Sequence, residues 1–174
     1  RIARETLEIY APIAFRLGMG TMKGTLEDLA FPVAHPPEYA WVKREVDQRA
    51  PEGERYLREE VKPVLEDMLH MEEVSPLAID FRRKHLYSLW QKLFRYDMDI
   101  NRITDLLAMR VIVENIEDCY RTLGIIHQLW KPLPGRIKDY IALPKHNGYQ
   151  SLHTTVICQG NKITEFQIRT PDMH

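Results

Sequence analysis

The chain has 174 residues, 44% hydrophobic and 28% charged, the usage of a folded globular protein, which excludes a disordered or fibrous one. That length suits one domain, or one domain with an appendage, and buries a core without disulfides or a structural metal. Lys and Arg total 24 against 25 Asp and Glu, a net charge of -1, so a global basic field for nucleic acid is absent and anions must be held by local clusters.

The two cysteines, Cys119 and Cys158, form neither a CxxC nor a Cys/His metal spacing, which points to a reducing compartment. No apolar run approaches the length of a membrane span. The chain opens Arg1-Ile2-Ala3-Arg4, without Met or a signal peptide, and so reads as a piece of something longer.

Ala3, Leu7, Tyr10, Ala14 and Leu17 recur at helical spacing, with a kink expected at Pro12 and an end at Gly18 and Gly20. Residues 25–31 predict a second short helix with Leu26, Leu29 and Ala30 inward, and Pro32, Pro36 and Pro37 place a boundary near 32–38. A third helix is expected over 38–48. Pro51 opens a fourth, whose Leu57, Val61, Val64, Leu65 and Met68 share a face, with a kink at Pro63.

After Ser75-Pro76 the pattern changes. Residues 77–82 read as a short strand, 85–94 as a helix, and 106–113 as the clearest strand. Residues 116–130 predict a helix packing through Ile116, Tyr120, Leu123, Ile126 and Trp130, with His127 in a structural place beside them. A loop follows at Pro132, Pro134 and Gly135. Residues 150–158 and 163–170 alternate as strands and pair as a hairpin about Gln159-Gly160-Asn161. The expected fold is a helical N-terminal piece followed by an α/β layer with a partly antiparallel sheet.

Three stretches carry chemistry. In Arg82-Arg83-Lys84-His85-Leu86-Tyr87-Ser88-Leu89-Trp90-Gln91-Lys92, steps of four put Lys84, Ser88 and Lys92 along one helix face near its N-terminus. A triphosphate would find charge, donors and the positive dipole end together there; a solvated basic face is the competing reading. Asp105 stands at the entry of the Leu106–Val113 strand, where a carboxylate could hold Mg²⁺ beside substrate phosphates or form an ordinary turn. The run Gly135 to Thr155 mixes cations, glycines, amides and Tyr149, as a loop wrapping a purine nucleotide would. There Tyr149 could stack on a base, and Lys138, Lys145 and His153 could meet phosphates. Finally, Glu165, Gln167 and Arg169 share one strand face, and Phe166 and Ile168 the other.

The runs GRIKDYIALPKHNGYQSLHTT, EFQIRT and RKHLYSLWQK, in this order, resemble the synthetase domain of the RelA/SpoT family, the long bifunctional (p)ppGpp synthetase/hydrolases. The opening ETLEIYAPIAFRLGMGTMKGTLEDLAF is similar to the tail of that family's hydrolase domain. The resemblance implies three segments: 1–35 as the hydrolase tail, 36–75 as a helical connector and 76–174 as the synthetase core, shortened at its C-terminus. It also implies a nucleotidyltransferase-like mixed sheet flanked by helices.

What the resemblance implies for the residues is specific. Arg82 and Arg110 match the arginines that sandwich the ATP adenine, and Lys84, Ser88 and Lys92 the positions on its phosphates. Asp105 matches the Mg²⁺ ligand and Glu165 the catalytic glutamate, which would share the metal. Tyr149 matches the tyrosine stacked on guanine, and Lys138, Lys145, Asn147, His153 and Gln167 the rest of the GTP side. The basic Arg136-Ile137-Lys138-Asp139 is similar to the bifunctional members' signature. Phe81 stands before the first ATP arginine, where the family often has glycine. No His-Asp pair occurs, so no hydrolase activity is expected. The implied activity is transfer of the β,γ-pyrophosphate of ATP to the 3′-hydroxyl of GTP or GDP, with a silent nucleotide-binding fragment as the alternative. A bacterial cytoplasmic setting is implied, with no nucleic acid or membrane bound directly and ribosome contact only through domains outside this chain.

Overall fold

Two prolines shape the helical half of the chain. Pro12 and Pro63 each fall at the second residue of an α-helix, α2 (Ala11–Arg16) and α5 (Lys62–Met71). Each of these helices follows directly on a π-helical turn, Thr6–Tyr10 and Leu57–Val61. A proline inside a helix lacks the N–H donor and crowds the carbonyl four residues back, and a widened turn relieves both. The expected kinks at Pro12 and Pro63 therefore take the form of π-turns within continuous helical runs.

The computed structural model describes residues 1–103 and 106–173. In chain order the helices are α1 (Ile2–Glu5), α2, α3 (Gly20–Ala34), α4 (Pro36–Tyr56), α5, α6 (Leu86–Leu93) and α7 (Ile116–Leu129). The strands are β1 (Ala78–Arg83), β2 (Leu107–Ile112), β3 (Lys131–Pro132), β4 (Lys138–Asp139), β5 (Leu152–Ile157) and β6 (Ile163–Arg169). Two helices depart from the sequence reading. Helix α3 starts at Gly20 and passes through Pro32, and α4 passes through Pro51 where a new helix was expected. Each gives up one backbone hydrogen bond at its proline and keeps its course.

The chain forms two compact units, Arg1–Ala50 with Lys84–Leu106 and His146–Gly148, and Pro51–Arg83 with Leu107–Lys145 and Tyr149–His174. These units cut across the segments 1–35, 36–75 and 76–174, because the chain leaves the second unit at Lys84 and re-enters it at Leu107.

The first unit is helical. One cluster joins Val42, Val46 and Ala50 of α4 to Leu89 and Leu93 of α6, and another joins Leu7, Ala30, Phe31 and Tyr87. Leu29, expected inward, is 69% exposed, and Ala11 replaces Tyr10 and Leu17 on the buried side of the first helices. A side chain on Gly24 of α3 would stand 2.5 Å from the His85 ring, so glycine there lets α3 approach the start of α6. Gly18, at φ +76°, likewise faces the Asn147 carbonyl, which a Cβ would meet at 2.6 Å.

The second unit is built on a mixed sheet, six-stranded among the described residues, in the order β1-β2-β6-β5-β3, with β4 also paired to β5. The β2–β6 pair is parallel and the other pairs are antiparallel. The expected hairpin is present: Gly160 at φ 68° and Asn161 at φ 58° turn the chain between β5 and β6. Both lie in the left-handed region that glycine and asparagine tolerate. One sheet face, with Met109, Val111, Phe166, Ile168, Leu152 and Val156, packs on α5 and α7 in the main core. Trp130 stacks on Phe166 at 5.6 Å. Phe81, opposite Met109 in β1, is part of this apolar side, and the Arg58 guanidinium lies 5.3 Å from its ring.

Helix α7 packs on the main core through Leu123 and Ile126, with Trp130 following it, as expected, but its buried side is rotated at the N-terminal end. Cys119, Thr122, Ile125 and Ile126 are buried, while Ile116 and Tyr120 are largely exposed. Small side chains at 119 and 122 let the helix lie close to the strands, a preference that a search for large apolar residues does not see. His127 holds the structural place expected of it. Its Nε2 is 2.8 Å from the Thr154 hydroxyl, and burial lowers its pKa. Among the described residues no helix is long and apolar enough to cross a membrane.

Candidate active site

The other face of the sheet is polar, and the ladder fixes its pattern. Residues opposite one another across a ladder share a face. One row therefore runs Asp80, Arg110, Gln167, His153, Lys138 across β1, β2, β6, β5 and β4. The neighbouring row runs Arg82, Ala108, Glu165, Thr155. Thus Arg82, Arg110, Lys138, His153, Glu165 and Gln167, scattered over more than 80 residues of sequence, meet on one surface of one unit (167 minus 82 is 85).

Within that surface the groups hold one another. Gln167 Nε2 donates to Glu165 Oε1 at 3.1 Å, and His153 Nδ1 lies 3.7 Å from the same oxygen. Arg110 Nε and Nη2 each donate to the Asp80 carboxylate at 2.8 Å. A guanidinium gripped in this way along one edge keeps its planar faces available for stacking. Asp80 was not singled out from the sequence, because its partner is 30 positions away.

The loop that follows β4 is fixed at its start by Asp139. Its carboxylate accepts from the backbone of Ile141 and Ala142 at 3.0 and 2.8 Å and from the Tyr120 hydroxyl at 2.8 Å. Burial works to raise the Asp139 pKa, and these hydrogen bonds overcome it and bring the pKa down. The Lys145 N–H then donates to the Tyr149 carbonyl at 3.1 Å.

Tyr149 stands in an aromatic corner. His153 and Tyr140 meet its ring edge-on at 5.7 and 6.1 Å, and its hydroxyl is hydrogen-bonded to His153 Nε2 at 2.8 Å. Lys145 Nζ lies 4.6 Å from the Tyr140 ring and 5.0 Å from the Tyr149 ring. Desolvation lowers the Lys145 pKa, against the pull of Glu165, and burial raises that of Tyr149. Tyr140 is a second residue missed in the sequence. Alone it is one more loop tyrosine, and only the fold sets it against His153 at 5.4 Å.

The remaining candidates lie in the first unit. His85 takes an extended conformation and opens α6, so Lys84 precedes the helix and Ser88 and Lys92 lie on it. The Ser88 hydroxyl donates to Glu27 at 3.2 Å and accepts from Lys23 Nζ at 3.4 Å. Glu27 is itself 2% exposed and paired with Lys23 at 2.6 Å. Lys92 lies 5.9 Å from the Tyr96 ring centre. Asn147 is half-buried in the same unit. Asp105 lies outside the described residues.

A sheet of this order, with a carboxylate, cations and a stacking ring gathered on its open face, is suited to gripping and reacting phosphorylated nucleotides. Residues 81–174, more than half of the chain, match the family described as a region found in RelA/SpoT proteins, and the chain belongs to that family. It is 51% identical over 172 residues to a GTP pyrophosphokinase of Streptomyces coelicolor, covering 99% of this chain and 20% of that protein. It is 47% identical over 174 residues to a guanosine-3′,5′-bis(diphosphate) 3′-pyrophosphohydrolase of Aquifex aeolicus, covering 100% of this chain and 25% of that protein. The chain thus spans a quarter or less of these relatives. Among solved structures, its fold is shared with the small alarmone synthetase 1 of Bacillus subtilis bound to its product pppGpp. That TM-score is 0.53 at 20% identity, over 71% of this chain and 76% of the other. The expected mixed sheet flanked by helices is therefore the fold of this family.

Proposed function

We propose that this chain is the synthetase core of a (p)ppGpp synthetase, moving pyrophosphate from ATP to the 3′-hydroxyl of GTP or GDP. The observation that carries this reading is Glu165, a partly buried carboxylate set between Gln167 and His153, diagonal to Arg110 on the neighbouring strand and in the same row as Arg82 two strands away. Membership of a family with a GTP pyrophosphokinase among its members supports it. The segments 1–35 and 36–75 are then the hydrolase tail and connector of a longer bacterial cytoplasmic protein, whose ribosome contact lies in other domains.

The acceptor guanine stacks on Tyr149, whose ring is held by Tyr140 and His153. Lys138, Lys145, Asn147 and His153 bind the acceptor's phosphates and base, and Gln167 orients it. Arg82 and Arg110 stack on the ATP adenine, and Lys84, Ser88 and Lys92 hold its phosphates. Glu165 takes the proton from the 3′-hydroxyl as that oxygen bonds the β-phosphorus of ATP. The bond from the β-phosphorus to the bridging oxygen of the α-phosphate breaks, and AMP leaves. Positioning and electrostatics supply most of the rate, as in phosphoryl transfer generally.

The donor set suits Mg²⁺, a hard cation commonly bound by one or two carboxylates together with substrate phosphates. Glu165 offers one carboxylate, engaged through one oxygen only in the contacts described, and Asp105 is the second ligand by resemblance. Bound there, the metal would offset charge on the transferring phosphates.

The test is thin-layer separation after mixing γ-labelled ATP, GTP and Mg²⁺ with the parent chain and with Asp105→Asn. Label in pppGpp with the parent alone supports the transferase and its metal ligand. Saturable GTP binding without product from the parent would replace this reading with a silent nucleotide-binding fragment.

A further inference from the structure

We propose that Arg169 is a substrate-binding residue that takes a phosphate oxygen of the acceptor nucleotide; this rests on the synthetase reading above. Arg169 ends β6 on the polar face, two residues beyond Gln167 and four beyond Glu165. The partly open residues of that face alternate with buried ones along the strand, and Arg169 breaks the alternation, being only 5% exposed. Its backbone is pinned by pairing with Ile112 and by the Val113 N–H, which donates to its carbonyl at 3.0 Å.

The guanidinium so placed is incompletely satisfied. Its Nε is buried and has no hydrogen-bond partner among the described residues. Carboxylates are near, but occupied: Asp80 is held twice by Arg110, and Glu165 by Gln167 and His153. Burial lowers the pKa of this guanidinium, and Arg110 and Arg82 repel it against the pull of Asp80. A buried N–H donor without an acceptor costs free energy, and gathering three guanidiniums costs more. An anionic oxygen arriving with substrate removes both penalties at once.

The neighbouring orphan supports a nucleotide over a bare anion. Because Gln167 spends its amide nitrogen on Glu165, its Oε1 is left buried without a partner. An orphan acceptor two residues from an orphan donor, roughly 7 Å along a strand, suits a phosphorylated sugar: a hydroxyl for Gln167 and a phosphate oxygen for Arg169. The Ser151 hydroxyl, two residues from Tyr149, donates to the Ile168 carbonyl at 3.0 Å, and this neighbourhood and the strand shared with Glu165 assign that sugar phosphate to the acceptor, not to ATP.

Two measurements test this. In the first, calorimetry compares GTP with guanosine on the parent chain, Arg169→Gln and Arg169→Lys. Arg169→Gln should weaken GTP about 10-fold or more, as loss of a charge-assisted hydrogen bond does, and leave guanosine unchanged; Arg169→Lys should recover part of the loss. Equal loss for GTP and guanosine would assign Arg169 a structural role and overturn the proposal. The second reads the parent chain itself. The ¹⁵N Nε–H resonance of Arg169 in the parent, identified by its absence from Arg169→Lys, should shift on adding GTP or inorganic tripolyphosphate. GTP binding with that resonance unmoved overturns this inference and leaves the synthetase reading standing. A shift with a non-hydrolysable ATP analogue but not with GTP moves the residue to the donor and also overturns it. Failure of every nucleotide to bind removes the synthetase reading and this inference with it.

Discussion

The two faces of the sheet are made by alternate residues of the same strands, yet they are held by different forces. On one face Met109, Val111, Phe166 and Ile168 are sealed against α5 and α7, and the gain is removal of apolar surface from water. On the other, Arg110, Glu165, Gln167 and Arg169 are also partly or fully covered, but by one another. Each apolar residue is complete as it stands. Among the described residues the polar face pairs Arg110 with Asp80, and Gln167 and His153 with Glu165, and leaves Gln167 Oε1 and Arg169 Nε open. Packing explains the first face, while a ligand is needed to explain the second.

Substitutions can sharpen that contrast. The largest effect on stability belongs to the apolar face. Phe166→Ala should lower unfolding free energy by ~3–5 kcal/mol in denaturant titration, since it also removes the ring stacked on Trp130. A loss below about 1 kcal/mol would mean that the sheet does not rest on this contact.

On the polar face, Tyr149→Ala should weaken GTP by about 1–3 kcal/mol, the worth of base stacking, with little change for an ATP analogue. Equal losses for the two nucleotides in calorimetry would break the division of the site. Asp80→Asn should be milder. It loosens a partly exposed ion pair worth about 1 kcal/mol at most, so the ATP analogue should weaken by up to about fivefold while GTP stays unchanged.

The smallest effect is a pH dependence that belongs to the apolar side. Burial lowers the His127 pKa below its usual 6.5. A base with a depressed pKa in the folded state contributes stability above its unfolded pKa and loses it as pH falls through the folded value. Thermal midpoints should therefore decline more steeply below about pH 6.5 in the parent than in His127→Gln. Parallel acid limbs would show that His127 contributes nothing to the acid response.

The same contrast explains what could be read from the sequence. Alternation over 163–170 and the apolar run at 106–113 gave both central strands, and with them the shared face of Glu165, Gln167 and Arg169. Asp80 and Tyr140 escaped, because their roles depend on strand register and on a loop contact, neither of which is written in local spacing. Arg169 was placed on the right face, but its burial and unmet donor appear only after folding. Prolines misled in one direction: Pro32 and Pro51 sit inside helices, because a single lost hydrogen bond is outweighed by the burial of Phe31 and Ala50 beside them. The π-turns before Pro12 and Pro63 had no local signal that periodicity could report.

The most direct measurement is single-turnover transfer of label from γ-labelled ATP to GTP by Glu165→Gln, with GTP affinity measured on the same sample. Transfer should fall by at least ~10²-fold, the low end for loss of a general base, while GTP still binds. Near-parental transfer by Glu165→Gln would contradict the claim that the polar face of this sheet, centred on Glu165, performs the reaction.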